Sequence, residues 1–276
     1  MDKPTVKLVA LDLDRTLLNN EGRLSAGNER ALRRALDMGV EVVPSTGRAK
    51  TAVPEELLAL KGLRYLISSN GACISDIRTG ETLHETLLAP EAIDSLQDLL
   101  EDPTLMKEVF WEARPYTGAD FFADMPRFGV PDDFIAYYRR SRTPVADIAK
   151  FTAERRGRIE IINLIFADEA RRRSTWASLR ENPLIEVTTS LRFNVEVGAP
   201  GVGKGEALGL LCERLGIPAE QVLSAGDNDN DVSMIAFAGV GVAVENASDG
   251  ARAAADFITK SNEEDGVAHA LEKFVF

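Results

Sequence analysis

The chain has 276 residues, 45% hydrophobic and 28% charged, a composition that excludes a disordered polypeptide and suits one large domain or, the expectation taken here, two ordinary ones. Its formal net charge of −12 would repel a polyanion wherever Lys and Arg do not reverse it locally, so nucleic acid is not an expected partner. Cys73 and Cys212 lie far apart and in no metal-ligand spacing, which argues against a disulfide framework or a zinc site and fits a reducing cytosol.

Met1 to Leu11 holds no long apolar segment ahead of Asp12, and no later run approaches bilayer length, so the chain reads as soluble, unprocessed and cytoplasmic. Val6 to Leu11 is a β-branched and aliphatic run that stops at Asp12, as a buried parallel strand does when it delivers a polar residue to a sheet edge. Ser25 is a plausible N-cap for a helix carrying Ala31, Leu32, Ala35 and Leu36, with Gly39 at its stop. Val40 to Val43 reads as a second strand, ending in Pro44, Ser45, Thr46 and Gly47. Pro54, Glu55 and Glu56 open another helix, and Tyr65 to Ser68 supplies a third strand.

The rhythm changes between His84 and Arg192, which hold a helical stretch after Pro90, an aromatic-rich passage from Phe110 to Phe122 and a strand-like run from Ile159 to Phe166. Its basic runs, Arg139, Arg140, Arg142 and Arg171 to Arg173, read as solvated helix faces. The alternation then returns: Gly205 to Leu215 as helix, Val222 to Ser224 as strand, Asp231 to Phe237 as helix and Val240 to Val244 as strand. The expected architecture is therefore α/β, a doubly wound parallel sheet with a binding crevice at the carboxyl ends of its strands, interrupted by an inserted α/β unit. In numbers, residues 1–83 and 193–276 form the core and 84–192 the insert.

Strand ends in the core segments carry the reactive polar residues: Asp12 and Asp14 in DLDRTL, Thr46 in STGR, Lys204 in GVGKG, and Asp227, Asn230 and Asp231 in GDNDND. Each fragment alone is weak, and DLD by itself reads more readily as an acidic turn or cap. Together they match phosphoryl transfer, which needs a nucleophile held in line, countercharge for the oxygens and a proton for the leaving alkoxide. A carboxylate pair suits Mg²⁺; Thr46 and Gly47 can cradle phosphoryl oxygens while Lys204 adds positive charge; and Asp14, two residues beyond Asp12, can reach the leaving oxygen as an acid. Only His84 and His269 are present, leaving histidine chemistry few candidates. A decoy lies at Gly198 to Lys204, where GAPGVGK matches a nucleotide-binding P-loop up to the eighth position, which is Gly205 where Ser or Thr is needed.

These fragments resemble the haloacid dehalogenase superfamily, specifically its Cof-like phosphatases with a large α/β cap. DLDRTL looks like DxDGTL, STGR like ATGR, and Ser69 to Ala72 like the NGA turn. GVGKGEAL and GDNDNDVSM match two further segments, and NASDG with NEEDGVAHAL the closing signature. The resemblance implies a cytosolic phosphatase of small phosphate esters, sugar phosphates above all, acting without nucleic acid or membrane as a monomer or small homo-oligomer. It assigns Asp12 as nucleophile and Asp14 as acid and later base for water. Mg²⁺ would be held by Asp12, the Asp14 carbonyl and Asp227, with Asp231 as support or a water-mediated ligand. Leu13, Thr46, Gly47, Lys204 and Asn230 would hold the phosphoryl group, with Arg15, Arg48 and Asn70 in substrate or supporting roles. Arg48 reads equally as a brace for its own loop.

Arg15 departs from the pattern, which has glycine there; if the position needs a positive φ, a side chain costs about 1–2 kcal/mol. Two other readings stay open: a phosphomutase using the same aspartates, and a non-enzymatic phosphate-binding protein. In the insert, Trp111, Arg114, Tyr116, Tyr137, Tyr138 and Arg142 are exposed-looking candidates for substrate selection, although aromatics at irregular spacing more often pack.

Overall fold

The structure, a computed structural model, describes residues 5–276, so Met1 to Pro4 of the N-terminal segment lie outside the described residues. The chain divides into two compact units. One comprises the described residues up to Gly47 with Val53–His84 and Gly203–Phe276; the other comprises Arg48–Ala52 and Glu85–Val202.

The first unit is built on a five-stranded parallel sheet in the order Phe257–Ile258, Val240–Ala243, Val222–Gly226, Leu8–Leu11, Glu41–Pro44. All four residues of Leu8–Leu11 are buried because helices cover both faces. Leu8 and Ala10 cluster with Ala207, Leu208 and Leu211 of the helix Lys204–Leu215, whereas Val9 and Leu11 cluster with Leu32 and Ala35 of Ala26–Asp37 and with Val267, Ala270 and Leu271 of Gly266–Phe274. Ser25 caps the helix Ala26–Asp37, its Oγ accepting the Asn28 N–H at 3.1 Å, and Gly39 follows with φ 81°. From Leu8–Leu11 the chain moves to Glu41–Pro44 on one side and later returns to Val222–Gly226 on the other, so the strand that ends at Asp12 is the topological switch point.

The third expected strand forms at Tyr65–Ser68 but does not extend the parallel sheet by a full ladder. It touches it through one parallel bridge, Ser45 with Ile67, and otherwise pairs antiparallel with Cys73–Asp76, in a small sheet completed by Thr82–Glu85. The cause is local. Ser69, Asn70 and Gly71 all take positive φ (52°, 53° and 96°), which reverses the chain at once into a hairpin instead of a crossover helix.

The second unit has its own core around a six-stranded sheet, ordered Glu186–Thr188, Asn194–Gly198, Ile162–Ile165, Met106–Trp111, Arg114–Gly118, Thr143–Val145. Its hairpin Met106–Trp111/Arg114–Gly118 turns on Glu112 and Ala113, both at positive φ (47° and 60°), the backbone of a two-residue primed turn. Asn194–Gly198 pairs with Ile162–Ile165 and so belongs to this sheet, which the expected boundary at 192 would cut. That pairing also disposes of the P-loop decoy: its strand lies in the second unit's sheet and its helix, Lys204–Leu215, in the first unit.

Two residues offered as exposed candidates are buried in the second unit. Arg142 makes a bidentate pair with Glu108 at 2.6 and 3.1 Å, and Tyr138 is 1% exposed with the Arg142 guanidinium 4.0 Å from its ring centroid. Arg142 therefore leaves the solvated face on which its neighbours Arg139 and Arg140 lie. Trp111 and Tyr116 pack with Phe151 at centroid distances of 5.8 and 4.6 Å, so these rings build core. No helix among the described residues is long and apolar enough to cross a membrane.

Candidate active site

Three parallel strands deliver the site. In their register Leu11 stands opposite Pro44 on one side and Ala225 on the other, so the residues just beyond these ends, Asp12, Thr46 and Asp227, emerge at one edge. The backbone N–H of Asp12 still donates to the Ala225 carbonyl at 2.9 Å, which holds its Cα in the sheet while its carboxylate enters the crevice.

Asp12 is 5% exposed; its Oδ1 accepts from Lys204 Nζ at 2.7 Å, and its Oδ2 is buried without a hydrogen-bond partner among the described residues. Lys204 is the first residue of its helix and is buried along its whole length; its Nζ also donates to Asp231 Oδ1 at 2.6 Å. Asp231 has both oxygens engaged, because Oδ2 accepts the backbone N–H groups of Asp227 and Asn228 at 2.9 and 3.0 Å. Asp227 lies on the same cluster, with Thr16 Oγ1 3.4 Å from its Oδ1.

The electrostatics are set by burial. An ion pair alone would lower the Asp12 pKa, yet burial and the nearby Asp231 carboxylate outweigh Lys204 and push it well above the usual carboxylate range. Burial raises Asp227 further, with Asp12 and Asp231 adding repulsion. Burial works against the Lys204 ammonium, but Asp12 and Asp231 overcome it and hold its pKa above the usual lysine value.

One oxygen from each of Asp12, Asp227 and Asp231 lies within 4.8 Å of the others. Once ionised, the three carboxylates would outweigh the one ammonium by two negative charges in a buried space, all donors are oxygens, and Asp12 Oδ2 has no hydrogen-bond partner among the described residues. That set fits a hard divalent cation such as Mg²⁺. Because both Asp231 oxygens are already occupied, Asp231 is better placed to orient Lys204 and the Asp227–Asn228 backbone than to ligate directly.

Other expected residues gather here as well. Leu13 is buried at the start of the turn Leu13–Leu17, in which Asp14 (φ −71°, ψ 119°) and Arg15 (φ 62°, ψ 11°) are exposed. Arg15 thus does take the left-handed conformation that favours glycine, and its carbonyl accepts from Asn246 Nδ2 at 2.9 Å. The Thr46 N–H donates to the Ile67 carbonyl at 3.0 Å; a Cβ on Gly47 would lie 2.9 Å from Asn70 Oδ1, which in turn accepts from Asn230 Nδ2 at 3.0 Å. Arg48 belongs to the second unit, where it donates to the Ala52 carbonyl at 2.9 Å and lies over the Tyr137 ring. The sequence alone assigns Thr16 and Asn246 no role, although DLDRTL and NASDG contain them. A hydroxyl four residues after Asp12 carries no chemical signature until the turn places it against Asp227.

A family model described as haloacid dehalogenase-like hydrolase matches residues 9–271. The chain is 33% identical to a 5-amino-6-(5-phospho-D-ribitylamino)uracil phosphatase, YcsE, of Bacillus subtilis, over 98% of this chain and 96% of that protein. It is 34% identical to the phosphatase YwpJ of the same organism, over 97% and 99%. A solved haloacid dehalogenase-like hydrolase from B. subtilis superposes with a TM-score of 0.84 at 30% identity, covering 98% of this chain and all (100%) of that one.

Proposed function

The chain belongs to the haloacid dehalogenase-like hydrolases and is a phosphatase, and from that premise we propose that it hydrolyses a small phosphate ester through an aspartyl phosphate on Asp12. The observation that carries this reading is the state of the Asp12 carboxylate: buried at a strand end, one oxygen gripped by Lys204 and the other without a hydrogen-bond partner among the described residues.

In the first half-reaction an Asp12 oxygen attacks phosphorus, the bond to the leaving oxygen breaks, and Asp14 gives that oxygen its proton. In the second, the Asp14 carboxylate takes a proton from water as the water oxygen attacks the same phosphorus. The bond to Asp12 then breaks, and inorganic phosphate leaves. Lys204 offsets charge on the phosphoryl oxygens, and Thr46, the Gly47 and Leu13 N–H groups and the Asn230 amide hold them. Asp12, the Asp14 carbonyl and Asp227 would hold Mg²⁺, which when bound neutralises part of the negative charge on the phosphoryl group. Asp14 suits the acid role because its exposed turn position leaves its carboxyl able to exchange protons with water between the two steps.

The substrate is a small metabolite, and relatives such as the phosphoribitylaminouracil phosphatase mark polyol and sugar phosphates as the first esters to try. The test is a panel of phosphate monoesters assayed for released inorganic phosphate with magnesium, alongside Asp12→Asn. Release from at least one ester, absent in the variant, is expected; retention of all transferred phosphate on a second hydroxyl of the substrate would instead make the protein a mutase.

A further inference from the structure

We infer that Asn70 is a positioning residue whose side-chain carbonyl fixes the amide of Asn230 in the one orientation that offers an N–H to the phosphoryl group. This deepens the phosphatase reading and rests on it.

Ser69 and Asn70 sit at φ 52° and 53°, the region that L side chains avoid, and such strain persists only where surroundings over-determine it. Here the surroundings are three pieces of the site. The Asn70 N–H donates to the Thr46 carbonyl at 3.1 Å, Asn70 Oδ1 stands where a Cβ on Gly47 would be 2.9 Å away, and the following Gly71 passes so near the start of the Lys204 helix that a Cβ there would lie 2.2 Å from the Gly203 carbonyl. Into this packed turn Asn230 donates from Nδ2 to Asn70 Oδ1 at 3.0 Å.

The consequence is chemical. An Asn amide has two N–H groups on one end and a carbonyl on the other, and rotation by half a turn exchanges them. Asn70 Oδ1 can only accept, so it binds the NH₂ end of Asn230 and leaves the second N–H for an anion. If Asn230 alone flipped, two carbonyl oxygens would meet at hydrogen-bond distance. Without Asn70, water can satisfy either orientation, and an oxygen lone pair turned toward phosphate repels it.

Asn70→Gly tests this with the backbone spared, because glycine adopts positive φ freely. The variant is combined with Asn230→Ala in a double-mutant cycle, read in two ways: inorganic phosphate binding by calorimetry, and kcat/KM on an ester from the panel. Asn70→Gly should stay folded, with a melting temperature within a few degrees of wild type, while weakening phosphate binding about twofold, because half of the Asn230 amides then present the wrong end; Asn230→Ala should lose about tenfold, the worth of one hydrogen bond to a charged group. The double variant should be no worse than Asn230→Ala alone. Multiplicative losses in the double variant, or unchanged phosphate binding in Asn70→Gly, would overturn the inference. Wild-type protein that binds phosphate yet hydrolyses no ester would sink the phosphatase reading instead, and the cycle in phosphate affinity would still decide the role of Asn70.

Discussion

Lys204 Nζ lies 2.7 Å from Asp12 Oδ1 with both side chains buried, so the nucleophile proposed here is held by a cation that water cannot replace. Removing one partner of such a pair leaves the other charge unpaired in a low-dielectric site. Lys204→Met should therefore cost about 3–5 kcal/mol of stability in denaturant titrations and abolish phosphate release. A variant as stable as wild type would mean that the pair does not bear on folding.

The cation-free protein should lose stability as pH rises. Asp12 and Asp227 have folded-state pKa values raised above those of the unfolded chain, so the folded state binds more protons, and their favourable contribution is complete below the ordinary carboxylate range. It fades as pH climbs through the raised values. Magnesium, which competes with those protons, should flatten the slope and bind more tightly at higher pH. Melting curves from pH 5 to 9 with chelator and with magnesium check both; a chelated protein whose stability rises across that window contradicts the electrostatics described.

Covalent chemistry should be confined to Asp12. Mass spectrometry of protein quenched during turnover should find phosphate on the peptide carrying Asp12, with none in Asp12→Asn, whereas Asp14→Asn should slow turnover severely while leaving the acceptor intact. An adduct mapped to Asp14 would reverse the assigned roles.

At Arg15, φ is 62°, and Arg15→Gly relieves that strain at some cost in unfolded-chain entropy. The net expectation is a gain of up to about 1 kcal/mol with phosphatase chemistry retained and the ranking of substrates altered. Loss of turnover on every ester would assign the guanidinium an essential step.

Ser45 Oγ is buried without a hydrogen-bond partner among the described residues. Ser45→Ala should leave stability unchanged or raise it by roughly 1 kcal/mol, because an unpaired buried hydroxyl is desolvated for no return. A thermal melt shifted downward would reveal a partner for that hydroxyl.

How much was legible before folding differs by kind. Leu8–Leu11 showed its double-sided burial as an unbroken apolar run, and Ser25 showed a helix start, because strand and cap preferences act over a few residues. The α/β class followed from such local signals in alternation. The antiparallel course of Tyr65–Ser68 did not, since it depends on three successive left-handed residues, two of them not glycine, held by the Asn70 N–H bond to the Thr46 carbonyl and by packing against Gly47, Gly203 and Asn230. Arg142 looked like solvent-facing charge in its run of arginines and proved to be half of a buried pair with Glu108, 34 positions away. The residue types for phosphoryl transfer were likewise visible from their order along the chain. What only the tertiary structure decided was charge: that one Asp12 oxygen has no hydrogen-bond partner among the described residues, that Asp231 spends both of its own on Lys204 and two backbone N–H groups, and that burial overrides the ion pair at Asp12. Hydrogen-bond saturation and desolvation are properties of a closed space, and in this chain that space is closed by segments nearly two hundred residues apart (|i−j| = 192 for Lys204 and Asp12).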